Sequence, residues 1–229
     1  MSRQYPLPLP HKEAMDADDF LVTGSNSEAV ACIQQWPLWP SHCIVIHGPS
    51  GSGKTHLARV WQRLSGAENF AVGEIGAGAL SRPTASGAKV TIEDADQAAG
   101  VPTDEEALFH LFNRLRENKG FLLLTSASAP AQWGMGLPDL RSRLLSVPAI
   151  PLAAPDDQLL SAMLIKQFRD RQISLGKDVI TYLLSHVERT PAAIRDLVGA
   201  LDRVSLAEGR RITIAMARKL IEDQDFLIP

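Results

Sequence analysis

The stretch that decides the fold reads Gly48-Pro49-Ser50-Gly51-Ser52-Gly53-Lys54-Thr55 and fits the pattern G-x-x-x-x-G-K-[ST] at every fixed position. The apolar run Ile44-Val45-Ile46 precedes it, and a helix-like stretch from His56 to Trp61 follows. A strand, a glycine loop and a helix in this order are typical of a phosphate-binding loop. The sequence therefore predicts a site for a nucleoside triphosphate or diphosphate.

The loop residues have separable roles in this prediction. Gly48, Gly51 and Gly53 let backbone N–H groups converge on phosphate oxygens without Cβ clashes. Lys54 can reach the β- and γ-phosphates, and Thr55 can supply a hydroxyl to Mg²⁺. The N-terminus of the following helix favours the same negative charge.

An acidic pair, Glu93-Asp94, follows the β-branched run Val90-Thr91-Ile92. A phosphate-binding loop needs an acidic residue at the end of a neighbouring strand to hold the magnesium shell and orient water. We expect Glu93 to join Thr55 at the metal, and Asp94 to orient or deprotonate the attacking water. A solvated acidic turn is the alternative interpretation.

Four further polar residues are candidates for the same chemistry. Thr125, at the end of the apolar run that begins at Phe121, could lie beside the γ-phosphate, although a Thr/Ser turn explains it equally well. Arg141, Arg143 and Arg195 could each stabilise charge on a transferring phosphoryl group, in cis or from a neighbouring subunit. The alternative interpretation is that all three arginines are ordinary surface residues.

The order of predicted elements indicates the architecture. Predicted strands span residues 43–47, 70–75, 89–92, 121–125 and 147–152. Helices alternate with them, which predicts a three-layer α/β domain with a parallel sheet. Four helices are predicted after Pro155, at residues 156–171, 177–187, 191–207 and 214–223. We expect an extended tail at residues 1–19, an α/β nucleotide-binding domain at 20–153 and a small helical domain at 154–229.

Composition excludes several classes of protein. Hydrophobic residues make up 45% of the chain, and no apolar run approaches the ~18 residues that would span a membrane. Two cysteines cannot build a disulfide scaffold or a four-ligand zinc site. A net charge of −3 argues against a broad nucleic-acid surface, so no direct sequence-specific DNA binding is expected. A soluble cytoplasmic protein without a membrane partner is the expectation.

Taken together, the motifs resemble those of the AAA+ ATPases, and within them those of the bacterial replication initiator DnaA. Four segments are similar to DnaA motifs in the same order: Phe20 to Asn26 (F-V-x-G-x-S-N), Gly48 to Leu57 (G-x-G-K-T-H-L), Leu140 to Leu144 (R-L-x-S-R-F) and Ile194 to Leu201 (V-R-E-L-E-G-A-L). The resemblance covers residues 20 to about 223. It implies an AAA+ P-loop NTPase with a three-layer α/β core and a small C-terminal helical lid.

The resemblance also implies roles for particular residues. It places Phe20, Leu21 and Val22 beside the adenine of ATP or ADP, with Mg²⁺ at the phosphates. It extends the nucleotide-binding loop to His56, makes Arg195 the sensor-2 candidate and makes Arg143 the arginine-finger candidate. Glu93 stands where DnaA has an aspartate, so slow intrinsic hydrolysis is expected.

Two departures from DnaA point to the related Hda family. The chain stops at Pro229, whereas the helix-turn-helix module of DnaA would need roughly another hundred residues. The tail Gln4-Tyr5-Pro6-Leu7-Pro8-Leu9 resembles the Q-L-x-L-P-L peptide that docks on the sliding clamp. The Hda family combines such a peptide with an initiator-like AAA+ module, and Gly136 to Leu140 also resembles an Hda stretch.

The predicted clamp contacts are Gln4, Tyr5, Leu7, Pro8 and Leu9. A proline-rich linker is the alternative for this tail. The expected partners are DnaA and the DNA polymerase III sliding clamp (its β subunit), and the expected function is regulatory inactivation of DnaA. An autonomous homo-oligomeric ATPase, working as a loader or remodeller, and a non-hydrolysing clamp adaptor are the alternatives.

Overall fold

The computed structural model describes residues 21–75 and 86–223, which fall into an α/β unit and a helical unit. The α/β unit spans Asn26–Ala154. The helical unit contains residues 155–223 and residues 21–25. The predicted clamp contacts Gln4, Tyr5, Leu7, Pro8 and Leu9 lie outside the described residues, as does Phe20.

The α/β unit alternates strands with helices. Its elements are α1 (Ser27–Gln34), β1 (Cys43–His47), α2 (Lys54–Ser65), β2 (Glu68–Phe70), β3 (Lys89–Ile92), α3 (Pro102–Glu117), β4 (Phe121–Ser126), α4 (Pro138–Ser146) and β5 (Ala149–Pro151). Short 3₁₀ turns lie at Val72–Glu74, Ala95–Ala98 and Pro130–Gln132.

The five strands form one parallel sheet in the order β2-β3-β4-β1-β5. The central strands are apolar because they are covered on both faces: Cys43 pairs with Leu122 and Val45 with Leu124, and all four are buried. Since β1 and β4 are neighbours, the residues that follow them meet at one edge of the sheet. The predicted parallel sheet is confirmed.

Alternate residues of the strands face two different helix layers. One face packs its side chains into a cluster with apolar residues of α3 and α4, including Leu108, Leu111 and Leu140. On β1 that cluster takes Cys43 and Val45, which leaves Ile44 and Ile46 buried on the opposite face. There α1 packs on α2 and β5, and α2 packs on β3 and β4. The arrangement is three-layered, as expected.

The predicted strand at residues 70–75 is wrong. Strand β2 ends at Phe70, and Val72–Glu74 forms a 3₁₀ turn. The Glu74 carboxylate accepts a hydrogen bond from the Ala71 N–H at 2.9 Å, so a local cap turns the chain where apolar content suggested extension.

The helical unit contains four helices around its own core. They are α5 (Asp157–Asp170), α6 (Lys177–His186), α7 (Pro191–Glu208) and α8 (Ile214–Asp223). Leu164, Phe168, Leu183, Leu197 and Ala217 are among its most deeply buried residues. Each helix begins and ends within one residue of its predicted bounds, because Gly176, Pro191 and Gly209 punctuate the chain as expected.

Residues 21–25 belong with the helical unit, whereas the sequence placed residue 20 onward in the α/β domain. Asp156, the N-cap of α5, accepts hydrogen bonds from the side chains of Thr23 and Ser25 and from the Ser25 N–H. It also accepts one from the Leu159 N–H at 2.7 Å. These bonds lower the pKa of the Asp156 carboxyl, and they fasten the leading segment to the start of the helical unit.

Within residues 21–75 and 86–223, every helix is too short or too polar to cross a membrane.

Candidate functional site

The glycine loop lies between the end of β1 and the start of α2, as its pattern predicted. The Gly48 N–H donates to the Ser126 carbonyl of β4 at 3.1 Å. A Cβ on Gly48 would overlap the carbonyl oxygen of Leu152, just after β5, so no larger residue fits. The first glycine therefore lets the loop start between two neighbouring strand ends.

Gly51 and Gly53 adopt φ values of 74° and 102°, which L side chains rarely adopt. Glycine is therefore required at both positions of the loop. The Lys54 Nζ donates to the carbonyls of Gly48 at 2.7 Å and Pro49 at 3.0 Å, which places the ammonium group inside the loop.

The loop residues fit a bound nucleotide's phosphates. Ser52 Oγ is buried and has no hydrogen-bond partner among the described residues. The N-cap of α2 is Gly53, whose lack of a side chain leaves the first-turn amides without a side-chain cap. Thr55 is exposed at the same helix end. An unpartnered hydroxyl, uncapped amides and a half-buried lysine form a donor set suited to phosphate oxygens.

The acidic turn after β3 is tied to the end of β4. Asp94 has φ 52°, and its N–H donates to Thr125 Oγ1 at 3.2 Å. Asp96 Oδ2 accepts a hydrogen bond from the Ala127 N–H at 3.0 Å. The structure thus brings Asp94 and Thr125 together, whereas Asp96 has a structural partner that the sequence did not indicate.

Glu93 is half-buried, and its Oε1 lies 3.5 Å from the Asn69 amide nitrogen. In the part of the chain that the structure describes, no group of three or more His, Cys, Asp or Glu side chains forms a metal cluster. A magnesium ion at Thr55 and Glu93 would therefore need phosphate oxygens and water as further ligands, which is how Mg²⁺ binds in most nucleotide sites.

Arg143 lies on α4 against α3. Its guanidinium group stacks over the Phe109 ring, 4.9 Å from the ring centroid. Arg143 Nε is buried and has no hydrogen-bond partner within the described residues. The side chain lines a surface pocket of about 600 Å³ whose other walls are His110, Asn113, Arg114, Arg116 and Glu117. Three of these six residues are arginines, so the pocket suits an anionic group.

Glu105, which contacts the start of the helix that carries Arg143, was not identified from the sequence. Only 3% of it is exposed, and its carboxylate accepts three backbone N–H bonds, from Gly100, Gly136 and Leu137. Burial alone would raise the pKa of Glu105, but the three hydrogen bonds outweigh burial and lower it. The available signal was its position on the apolar face of α3, three residues before Leu108.

Three of the remaining predicted residues lie in the helical unit, and His56 lies in the α/β unit. Leu21 is half-buried and Val22 is 54% exposed. Arg195 is exposed on α7. His56, in the α/β unit, is half-buried in the first turn of α2. The roles given to these side chains at the nucleotide remain predictions.

Comparison with known families identifies the helical unit. Residues 156–221 match the family model described as "Hda, lid domain". A relative from Haemophilus influenzae, described only as an uncharacterized protein, is 26% identical over 236 residues, covering 96% of this chain and 99% of that protein. The predicted C-terminal lid is therefore confirmed.

Two solved structures are similar in fold to this chain. Domain III of the Thermotoga maritima replication initiation protein DnaA has a TM-score of 0.79 at 18% identity, covering 96% of this chain and all of that domain. AMPPCP-bound DnaA from Aquifex aeolicus has a TM-score of 0.73 at 17% identity, covering 92% of this chain and 69% of that one. The fold is the AAA+ fold of DnaA.

Proposed function

We propose that this chain, an Hda-like, DnaA-related AAA+ protein, inactivates the initiator DnaA in the cytoplasm by stimulating hydrolysis of DnaA-bound ATP on the DNA-loaded sliding clamp. One observation carries the proposal: Arg143 is held on α4 with its Nε buried and unpartnered within the described residues, beside a basic surface pocket. Three of the six residues that line this surface pocket are arginines, so it suits an anionic group supplied from outside the α/β unit.

The chain's own nucleotide, ATP or ADP, would lie over the glycine loop. Lys54 and the first amides of α2 would bind its phosphates, and exposed Thr55 with Glu93 would bind the associated Mg²⁺ through its water shell. We propose Leu21 and Val22 as the contacts of the base and Arg195 as a contact of the phosphates. The AMPPCP in the Aquifex aeolicus DnaA structure supports nucleotide binding by this fold.

This nucleotide would act as a conformational switch. Asp94 is exposed and is the candidate that orients water, and Thr125, which accepts the Asp94 N–H, is the candidate beside the γ-phosphate. Since Glu93 carries one more methylene than aspartate, slow intrinsic hydrolysis is expected. The bound nucleotide would then favour the form of the protein that pairs with DnaA.

Arg143 would act in trans on the ATP held by DnaA. A guanidinium group suits the charge that spreads over the equatorial oxygens of a transferring phosphoryl group, and an arginine finger contributes ~10³–10⁵ in rate. Stacking on Phe109 restrains the side chain, which reduces the conformational entropy that must be lost at the transition state.

The tail would provide the second attachment. Leu7 and Leu9 are anchors for an apolar pocket, and the neighbouring prolines limit the conformations that docking must restrict. In this proposal residues 1–19 form the clamp-binding tail, residues 20–153 the nucleotide-binding domain and residues 154–229 the lid.

The decisive experiment measures single-turnover hydrolysis of DnaA-bound ATP with and without this protein and DNA-loaded clamp. Arg143→Ala should abolish the stimulation while clamp binding persists. Arg141→Ala is the matched control, because Arg141 is an exposed arginine on the same helix. Normal stimulation by Arg143→Ala would show that the proposed role is wrong.

Two further measurements separate the alternatives. Strong multiple-turnover hydrolysis by the isolated protein, independent of DnaA, would favour a homo-oligomeric ATPase. Clamp and nucleotide binding without any stimulation of DnaA would favour an adaptor. Deleting residues 1–10 should abolish clamp pull-down and leave nucleotide affinity unchanged, and retained clamp binding would overturn the assignment of the tail.

A further inference from the structure

We infer that Glu105 is a positioning residue for Arg143: its buried carboxylate sets the start of α4 and thereby the place at which the guanidinium group is presented. The inference rests on the proposed function, since Arg143 must act on a bound ATP for its placement to affect a rate.

Glu105 binds the backbone just before α4 through both of its carboxylate oxygens. Glu105 Oε1 accepts from the Gly100 N–H at 2.8 Å and from the Gly136 N–H at 3.0 Å, and Oε2 accepts from the Leu137 N–H at 2.6 Å. Hydrogen bonds to a carboxylate are shorter and about twice as strong as neutral ones. One side chain on α3 therefore holds the last two residues before α4.

Helix α4 has no side-chain cap of its own. Its N-cap is Leu137, an apolar residue in the extended conformation, and Pro138 follows at the first helical position. An apolar N-cap cannot satisfy the helix's first amides or fix the angle at which the chain enters it. Within the described residues, Glu105 is the only side chain shown bonded to the Leu137 N–H.

The distance along α4 from its N-cap to Arg143 converts a change in the entry angle of the helix into a displacement of the arginine. Arg143 comes six residues after Leu137, which is about 9 Å along the axis at the usual rise. A tilt of α4 by about 6° at its start would therefore move Arg143 by about 1 Å, and a misplacement of that size can cost ~10² in rate. The entry angle of α4 thus matters for Arg143 although Glu105 does not touch it.

Helix α3 makes a second contact with α4, through Phe109. Phe109 lies one turn after Glu105 on α3 and stacks under the Arg143 guanidinium group, 4.9 Å from its ring centroid. Helix α3 therefore holds the backbone at the start of α4 through Glu105 and the side chain of Arg143 through Phe109. Both contacts belong to the α/β unit.

The test uses the full chain with DnaA–ATP and DNA-loaded clamp, and measures stimulated single-turnover hydrolysis against protein concentration. Glu105→Gln replaces one carboxylate oxygen by an NH₂ group, which opposes a backbone N–H. We expect its maximal stimulated rate to fall roughly 10–100-fold, with the half-saturating concentration changed less than about threefold. Glu106→Gln, the exposed neighbour on α3, should match the wild type.

A double variant separates positioning from general destabilisation. In an Arg143→Ala background, adding Glu105→Gln should change the remaining rate less than about twofold, because the residue acts through the arginine. Hydrogen exchange of the Gly136 and Leu137 amides gives a readout without DnaA, and both should exchange faster in Glu105→Gln. If that variant does not fold, Glu105→Asp keeps the charge on a shorter side chain and should show the same pattern.

The outcomes distinguish the two proposals. Full stimulation by Arg143→Ala would overturn the proposed function. Loss of stimulation by Arg143→Ala with a wild-type maximal rate for Glu105→Gln would overturn the positioning role alone. A further loss from Glu105→Gln in the Arg143→Ala background, or unchanged exchange of the Leu137 amide, would also overturn it.

Discussion

Thr125 and Asp94 are joined by a hydrogen bond between adjacent strand ends: Thr125 Oγ1 accepts the Asp94 N–H at 3.2 Å. Thr125 is the last residue but one of the central strand β4 and is only 1% exposed, whereas Asp94 lies in the turn after β3 in the left-handed conformation. The hydroxyl expected beside the phosphates therefore also holds the acidic turn in place. In the proposed site, the same oxygen atom would lie beside the phosphates and accept the Asp94 N–H.

We predict that Thr125→Val destabilises the protein by about 1–2 kcal/mol, because the Asp94 N–H loses its acceptor at a partly buried position. Urea denaturation measures this loss. Thr91→Val is the control: Thr91 is buried on the neighbouring strand, its hydroxyl has no partner within the described residues, and its loss should cost less than about 0.5 kcal/mol. Equal losses from both variants would contradict the role of the hydrogen bond.

Gly48→Ala should destabilise the fold by more than about 2 kcal/mol, because its Cβ would overlap the Leu152 carbonyl oxygen and neither backbone can easily move. Thermal unfolding gives the measurement. Gly73→Ala, where an added Cβ meets no atom within 4 Å, should leave the midpoint nearly unchanged. A stable Gly48→Ala protein would mean that the loop and β5 separate easily.

Lys54→Ala should weaken binding of a fluorescent ADP analogue roughly 10–100-fold, the range for losing a hydrogen bond from a charged donor to phosphate. Stability should change little, because one of the two lysine hydrogen bonds in the loop is exposed and the other only partly buried. Lys177→Ala, an exposed lysine that begins α6, is the matched control. Equal affinities of the two variants for the ADP analogue would contradict the proposal that the glycine loop binds the nucleotide.

The stabilisation from Glu105 should depend on pH in a defined direction. Its pKa in the folded protein lies below the ordinary value of 4.5, so the native state binds the proton less readily than the unfolded state. The stability it contributes is therefore fully present above pH 4.5 and is lost as the pH falls through the lower folded value.

Urea titrations of wild type and Glu105→Gln across this range provide the check. The difference in unfolding free energy should be about 1–3 kcal/mol near pH 7 and should shrink below pH 4.5. Glu106→Gln, at an exposed position, should show no such trend. A difference that grows as the pH falls would have the wrong sign for a carboxylate stabilised by N–H donors.

Much of the fold was predictable because its signals are local. Strands β1 and β3 have their predicted bounds, since apolar and β-branched runs covered on both faces leave little choice. The bounds of the lid helices were predictable in the same way, because glycine and proline residues mark where these helices begin and end. The error at residues 70–75 came from a side-chain cap, Glu74 on the Ala71 N–H, which hydrophobicity does not encode.

The sequence by itself determined the glycine loop, the parallel sheet and the helical lid, because each depends on residue types within a short window. Only the tertiary structure decided which groups meet. Glu105 bonds to amides 31 and 32 residues away, and Asp94 to a hydroxyl 31 residues away. In each of these bonds the donor is a backbone N–H group, which every residue but proline carries. The residue type of the donor therefore does not predict such a contact, which depends on the fold that brings the two groups together.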